Sequence, residues 1–145
     1  FLFDTNVVSE LRKATSGKGN PTVAAWAATI PREQTYLSVI SIQELEKGVL
    51  QKERADPQGG AVLRAWLTEH VYVGFEGRIL PVTQEIAVCC AALHVPNPRP
   101  TMDALIAATA LVHGMTVVTR NVADFKPTGV LLVNPWEALW LTASS

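Results

Sequence analysis

Four acids stand where they could hold a metal ion: Asp4, Glu44, Asp103 and Asp124. Asp4 follows the apolar Phe1-Leu2-Phe3, Asp124 follows the apolar run 115–119, and Glu44 and Asp103 each fall in the first turn of an expected helix. In parallel α/β sheets, ligands bind beyond the carboxyl ends of the strands at a topological switch point. Acids at strand ends and helix starts can therefore converge on one rim. The chemistry that suits such a cluster is phosphodiester cleavage, because a divalent ion neutralises the phosphate, lowers the pKa of water and stabilises the leaving oxygen. Mg²⁺ takes oxygen ligands and keeps several waters, whereas thiols and imidazoles select other metals. No Cys or His pair has ligand spacing, so the donors agree with Mg²⁺ or Mn²⁺. Without a cation, carboxylates packed together repel and some hold protons.

Each acid also has a plain structural use. Asp4 can cap a helix that begins at Thr5. Ser41-Ile42-Gln43-Glu44 matches a capping box, in which Glu44 bonds back to the Ser41 backbone. Asp103, two residues past Thr101, favours the positive end of its helix, and Asp124 reads equally as a loop acid. Glu46, two positions from Glu44 on the helix, faces elsewhere and reads as part of a solvated face. Asn6 and Thr119 either orient the acids by hydrogen bonding or bond only to nearby backbone.

The elements that must position these residues alternate strand and helix. Residues 1–4 form a short strand ending in an acid, and Val7, Val8 and Leu11 mark one face of a helix over 5–13. A loop covers 15–20, and Pro21 opens a helix with Val23, Trp26 and Ala27 that Pro31 ends. Residues 35–40 read as a buried strand. A helix from Ser41 carries Ile42, Leu45, Val49 and Leu50; Asp56-Pro57-Gln58-Gly59-Gly60 interrupts it, and 61–71 resume it. Ile79-Leu80-Pro81-Val82 is a strand, Thr83 caps the next helix, and Pro96-Asn97-Pro98-Arg99-Pro100 is a loop. Thr101 opens the most helical segment, which Gly114 closes. Residues 115–119 and 130–133 are strands, and Pro135 begins a last short helix with Trp136, Leu139 and Trp140. This alternation predicts an α/β fold with a mostly parallel sheet.

The chain has 145 residues, 48% hydrophobic and 17% charged, enough for one compact domain over 1–145 and too little charge for a disordered segment. A net charge of −1 argues against a protein that coats nucleic acid. It is compatible with a metal nuclease, whose acidic ligands cancel surface cations and whose bound ion restores local positive charge. Adjacent Cys89 and Cys90 would form a strained disulfide, and as thiols they fit a reducing cytoplasm. No signal segment is apparent, and no apolar run approaches the roughly 20 residues of a membrane span. Arg12, Lys13, Lys18, Lys47, Lys52, Arg54 and Arg120 could touch phosphate, although solvation is the ordinary fate of such residues. The four tryptophans read as core or partner packing rather than base-stacking platforms. His113 suits the last turn of its helix and is not expected to act as a base.

Four motifs follow one another along the chain: Asp4-Thr5-Asn6 after an apolar strand, Glu44-Leu45 followed by Gly48, Asp103-Ala104-Leu105-Ile106-Ala107-Ala108-Thr109-Ala110, and Val118-Thr119-Arg120-Asn121 with Asp124-Phe125. In that order they resemble the motifs of PIN-domain ribonucleases. Gly77-Arg78-Ile79-Leu80-Pro81 and Asn134-Pro135-Trp136 resemble the FitB-like branch of the VapC toxins. The resemblance implies a PIN-like α/β/α sandwich with a central, mostly parallel sheet. It also implies Mg²⁺ or Mn²⁺ dependence, cleavage of RNA, a homodimer, and neutralisation by a small antitoxin. On that basis Asp4 and Asp103 hold the main ion, Glu44 holds or orients the attacking water, Asp124 supports a second ion, and Asn6 and Thr119 orient the group. Two departures stand out. The proline-rich 94–100 segment is expected to seat Asp103 differently or reshape the groove. Asn121 occupies a position where some relatives carry an acid, which leaves Asp124 and Asn121 as rivals for the fourth place.

Two other readings compete. In a phosphotransfer enzyme Asp4 would accept phosphate, but haloacid-dehalogenase-type sites want an acid two residues later, where this chain has Asn6. In a non-catalytic interaction protein the chain would work only by pairing with an operator-binding antitoxin; the intact acids favour catalysis.

Overall fold

A computed structural model describes residues 1–137. Five short strands, Leu2–Phe3 (β1), Leu37–Ser38 (β2), Ile79–Leu80 (β3), Val117–Val118 (β4) and Leu132–Val133 (β5), pair in parallel as β1-β4-β5 and β2-β3. The Phe3 amide donates to the Tyr36 carbonyl at 3.0 Å and the Tyr36 amide to the Phe1 carbonyl at 2.9 Å, which joins the two groups. The resulting order is β3-β2-β1-β4-β5. Succession runs outward in opposite directions from β1 and β4, so the switch point lies between them, where the chain passes from Phe3 to Asp4 and from Val118 to Thr119.

The helices are Thr5–Ala14 (α1), Pro21–Ala28 (α2), Val39–Ala55 (α3), Pro57–Trp66 (α4), Gln84–Leu93 (α5), Thr101–His113 (α6) and Val122–Phe125 (α7). Pleating sends successive strand residues to opposite faces. Phe3 and Val118 pack with Val7, Val8, Trp26 and Leu45 from α1 to α3. Leu2 and Val117 pack with Ile106, Ala107, Ala110 and Phe125 from α6 and α7. α5 lies against α6 through Ile86, Cys90, Ala104 and Ala108. Fully buried Leu2, Ile106 and Phe125 each contribute roughly 1.5–3 kcal/mol of apolar burial. This is the expected sandwich around a parallel sheet. Gly114 closes α6 with φ +65°, a conformation that costs other residues strain.

Several local expectations change. The 35–40 strand is cut short because α3 begins at Val39: the Ser38 hydroxyl accepts the Ile40 amide at 3.0 Å and caps the helix. β-branched Val39 and Ile40 resemble strand residues in sequence, yet the cap precedes them. Ser41 is therefore inside the helix, the Ser41–Glu44 capping box does not form, and Glu44 sits in the second turn rather than the first. The 56–60 interruption shrinks to Asp56, which accepts the Gly59 amide at 3.2 Å and caps α4, with Pro57 in its first position. Gly60 packs against α3, where a Cβ would fall 2.7 Å from the Glu53 nitrogen. Residues Leu67–Tyr72 continue α4 as a wider π-helical turn.

Glu46 does not lie on a merely solvated face. Its carboxylate accepts two bonds from Arg64 at 2.8 and 2.9 Å and one from the Tyr72 hydroxyl, clasping α3 to α4. Burial, reinforced by Glu46, pushes the Tyr72 phenol up to about 12. Residues 134–137 form a turn, in which Asn134 Oδ1 accepts the Trp136 amide at 3.0 Å, and most of the expected final helix falls beyond residue 137. Leu139 and Trp140 lie outside the described residues. Among the described residues, no helix is long and apolar enough to cross a membrane.

Candidate metal centre

Parallel pairing carries Asp4 and Thr119 side by side past the ends of β1 and β4, with the Asp4 amide donating to the Val118 carbonyl at 2.9 Å. Asp4 is buried, and its two oxygens have separate tasks. Oδ1 accepts the Thr5 amide at 2.8 Å and so caps α1. Oδ2 accepts the Thr119 hydroxyl at 2.8 Å and the Asn6 amide at 3.3 Å. The fully buried Thr119 oxygen in turn accepts the Asn6 amide at 3.4 Å and the Asn121 backbone N–H at 3.0 Å. One donated and two accepted bonds use the whole capacity of a hydroxyl. Asn6 Oδ1 then accepts the Arg120 backbone N–H at 3.4 Å. Capping occupies one Asp4 oxygen and leaves the other to Thr119 and Asn6.

The remaining acids approach from three helices. Glu44 extends from α3, and its Oε1 accepts the Thr5 hydroxyl at 3.1 Å. Asp103 lies in the first turn of α6 and Asp124 on α7. Burial raises the Asp4 carboxyl above the usual range; the bonds from Thr119, Thr5 and Asn6 oppose the rise, and the charge of Asp124 adds to it. Burial also raises Glu44, the Thr5 bond and Lys47 resist, and Asp4 and Asp103 push further. Asp103 is raised by burial, then by Asp4 and Asp124. Asp4 and Asp103 thus each feel the charge of Asp124, and Glu44 feels Asp4 and Asp103. Asn121 brings no charge, and its link to the group is the backbone N–H on Thr119. Of the two rivals for the fourth place, Asp124 is the one whose charge reaches Asp4 and Asp103.

Among the described residues, no three Asp, Glu, His or Cys side chains are gathered tightly enough to enclose an ion directly. The acids are electrostatic neighbours without a closed inner shell. Ser41, one turn ahead of Glu44, adds a buried hydroxyl that lacks a hydrogen-bond partner. The proline-rich segment is anchored by Arg99, whose Nε donates to the Leu93 carbonyl at 2.8 Å and whose amide donates to His94 Nδ1 at 3.1 Å. α6 still begins at Thr101 and leaves Asp103 within reach of Asp4 electrostatically.

Sequence reasoning missed the tie between Thr5 and Glu44, because only the packing of α1 against α3 creates it. Arg78, singled out only through a branch motif, has a structural task. It donates to the carbonyls of Arg32, Thr35 and Gly74, and its guanidinium lies over Phe75 at 5.1 Å. Of the candidate cations, Lys13 pairs with Glu10 and Lys52 with Asp56, both at 3.5 Å. Arg12 stacks on Trp66 at 5.7 Å and Arg120 on Trp136 at 5.4 Å. Trp26 is buried in the core as expected. A cleft of about 170 Å³ next to Glu44 is lined by Thr5, Arg12, Leu45, Leu63 and Trp66. An adjoining one of about 210 Å³ shares Arg12 and Trp66 and reaches Phe75.

The model of the PIN domain family matches residues 1–129. A relative named VapC ribonuclease Y4jK, from Sinorhizobium fredii, is 34% identical over 143 residues, covering 94% of this chain and 97% of its own length. The crystal structure of FitAcB from Neisseria gonorrhoeae aligns with a TM-score of 0.85 at 33% identity, over 94% of this chain and 98% of that one. A toxin–antitoxin complex from Klebsiella pneumoniae aligns with a TM-score of 0.64 at 28% identity, over 94% and 98% of the respective chains.

Proposed function

This chain belongs to the PIN domain family, and on that premise we propose that it is a Mg²⁺- or Mn²⁺-dependent endoribonuclease acting as the toxin of a toxin–antitoxin pair. The observation that carries the reading is the buried Asp4 at the sheet's switch point, bonded to Thr119 and Asn6, with Glu44 tied to the adjoining Thr5. The ribonuclease name of the Sinorhizobium relative and the toxin–antitoxin complex from Klebsiella support the substrate and the partner.

The donor set fits a hard divalent ion. Every candidate ligand is a carboxylate oxygen, and three of the four are pushed toward holding protons that a cation would replace. Among the described residues no three acids close around an ion, so on this reading waters would complete the coordination of a Mg²⁺. Asp4 and Asp103 would hold the main ion, directly or through water, with Asp124 supporting a second. When bound, the ion offsets phosphate charge and makes a neighbouring water a better nucleophile.

The chain's own residues supply the rest. Thr119 and Asn6 fix the Asp4 carboxylate in one rotamer. Thr5 holds one oxygen of Glu44 and leaves the other to orient the attacking water.

The cleft along Thr5, Leu45, Leu63 and Trp66 is continuous with Glu44, and there we place the antitoxin. A peptide lying in it would sit against Glu44 and crowd RNA there. We place the second copy of a homodimer on α5, whose Ala87, Val88 and Ala91 are exposed and uncharged.

The test is incubation of purified protein with RNA, with Mg²⁺, with Mn²⁺ or with EDTA, beside Asp4→Asn. Cleavage that needs the metal and fails in the variant is expected. Equal cleavage by both proteins, or none from wild type with either ion, would remove the reading.

A further inference from the structure

Four acids around the centre repel a polyanion, so an RNA cutter needs cations at the rim to seat the backbone. Arg120 is placed for that. It follows Thr119 directly, and its backbone N–H donates to Asn6, which donates to Asp4. One short polar chain thus links its main chain to the most buried acid. Its side chain is exposed, and among the described residues it forms no ion pair. The guanidinium lies instead over the Trp136 ring, 5.4 Å from the centroid.

Trp136 is itself fixed. Its ring packs on the core that contains Phe3, Val7 and Val118, and its amide is held by Asn134. The Thr119 amide donates to the Val133 carbonyl at 3.0 Å, which sets the register between the segments that bear Arg120 and Trp136. A guanidinium held over an indole face by cation–π attraction still presents exposed N–H groups, and that planar fork matches the two oxygens of a phosphate.

We propose that Arg120 binds a phosphate of the RNA as it passes the metal centre, and that Trp136 is the positioning residue that holds the Arg120 side chain. The proposal rests on the ribonuclease reading and gives the Asn134-Pro135-Trp136 motif a task that reading leaves unassigned. Trp136 acts through Arg120 rather than by stacking on a base.

The test compares wild type, Arg120→Gln, Trp136→Leu, Trp136→Phe and the double variant Arg120→Gln/Trp136→Leu. Two readouts are needed: binding of a short fluorescein-labelled single-stranded RNA over a salt series in Ca²⁺, and steady-state RNA cleavage in Mn²⁺. Arg120→Gln is expected to weaken binding about tenfold, raise KM more than it lowers kcat, and flatten the salt dependence by about 0.7 in log–log slope, the share of one phosphate contact on a single strand. Trp136→Leu should flatten the slope in the same direction, Trp136→Phe should restore most of it, and the double variant should be no weaker than Arg120→Gln alone. An unchanged salt slope in Arg120→Gln overturns the phosphate assignment. Losses that add in the double variant, with a normal slope in Trp136→Leu, make Trp136 a base-stacking platform and overturn its positioning role. Wild type that neither binds nor cuts RNA overturns the ribonuclease reading and this inference together, whereas active wild type with wild-type-like Arg120→Gln overturns only the inference.

Discussion

Thr119 donates its hydroxyl hydrogen to Asp4 at 2.8 Å across 115 positions of sequence, and both residues are buried. The bond exists because β1 and β4 are parallel neighbours that end together, so the residue after each strand meets the other at the switch point. Replacing Thr119 by Val keeps the shape but leaves Asp4 Oδ2 short of a donor and the Asn121 N–H without its acceptor. Metal-dependent RNA cleavage by Thr119→Val should fall about 10- to 100-fold, as for other partners of metal ligands, while Thr119→Ser stays close to wild type. Equal kcat/KM for wild type and Thr119→Val would show that the bond serves the fold alone.

Stability should depend on pH with a definite sign. Burial raises the carboxyls of Asp4, Glu44 and Asp103, so between the ordinary carboxylate range and those raised values the folded state binds more protons than the unfolded one. Their effect is most favourable below the ordinary range and is lost as pH rises through the raised values. Glu46 is shifted down, first by the Tyr72 bond, so its contribution is lost only as pH falls below that range and does not cancel the trend. The metal-free protein should therefore melt at higher temperature at about pH 5 than at about pH 7, a window set by ordinary carboxylate values. Mn²⁺ at neutral pH should raise the melting temperature and flatten the profile. Differential scanning calorimetry showing no pH trend, or the opposite one, contradicts this electrostatic picture.

The sheet, the layers and the positions of Asp4, Asp103 and Asp124 are legible in the sequence because each follows from a local rule. Apolar runs end in acids, prolines open helices, and Gly114 closes one. Less legible are features that depend on which element packs on which. Ser41 and Glu44 have capping-box spacing, yet Ser38 caps three residues earlier, and no pattern in the chain distinguishes one serine from the other. The contact between Thr5 and Glu44, the Glu46–Arg64–Tyr72 clasp and the pairing of Arg120 with Trp136 all join separate segments. Spacing rules cannot supply such contacts; only the assembled layers do.

Gly60 sets two rules against each other. In an ordinary helix, Gly→Ala is stabilising by roughly 1 kcal/mol. Here a Cβ would press into the backbone of Glu53, where α4 crosses α3. Gly60→Ala should instead destabilise by about 1–3 kcal/mol, the cost of forcing an extra methyl into a tight contact. Urea denaturation checks it: a midpoint above that of wild type would mean α3 and α4 pack less closely than described.

The α5 face can be tested separately. Val88 is 65% exposed in the single chain, and no charged residue lies between Ala87 and Leu93. If this face covers a second copy, Val88→Glu should turn a dimeric protein into a monomer by light scattering, with an unchanged circular dichroism spectrum. A variant that remains dimeric would place the interface elsewhere.

On the proposed function, the acids at the switch point hold a divalent ion that the protein uses to cut RNA. The most direct measurement is the initial rate of RNA cleavage as Mn²⁺ is titrated into metal-free wild type and Asp103→Asn. Wild type should be inactive in EDTA and rise to saturation with Mn²⁺. The variant should need at least tenfold more Mn²⁺, in line with the effect of disturbing a metal site, and should reach a lower plateau. Superimposable titration curves, or wild-type cleavage that persists undiminished in EDTA, would contradict the claim.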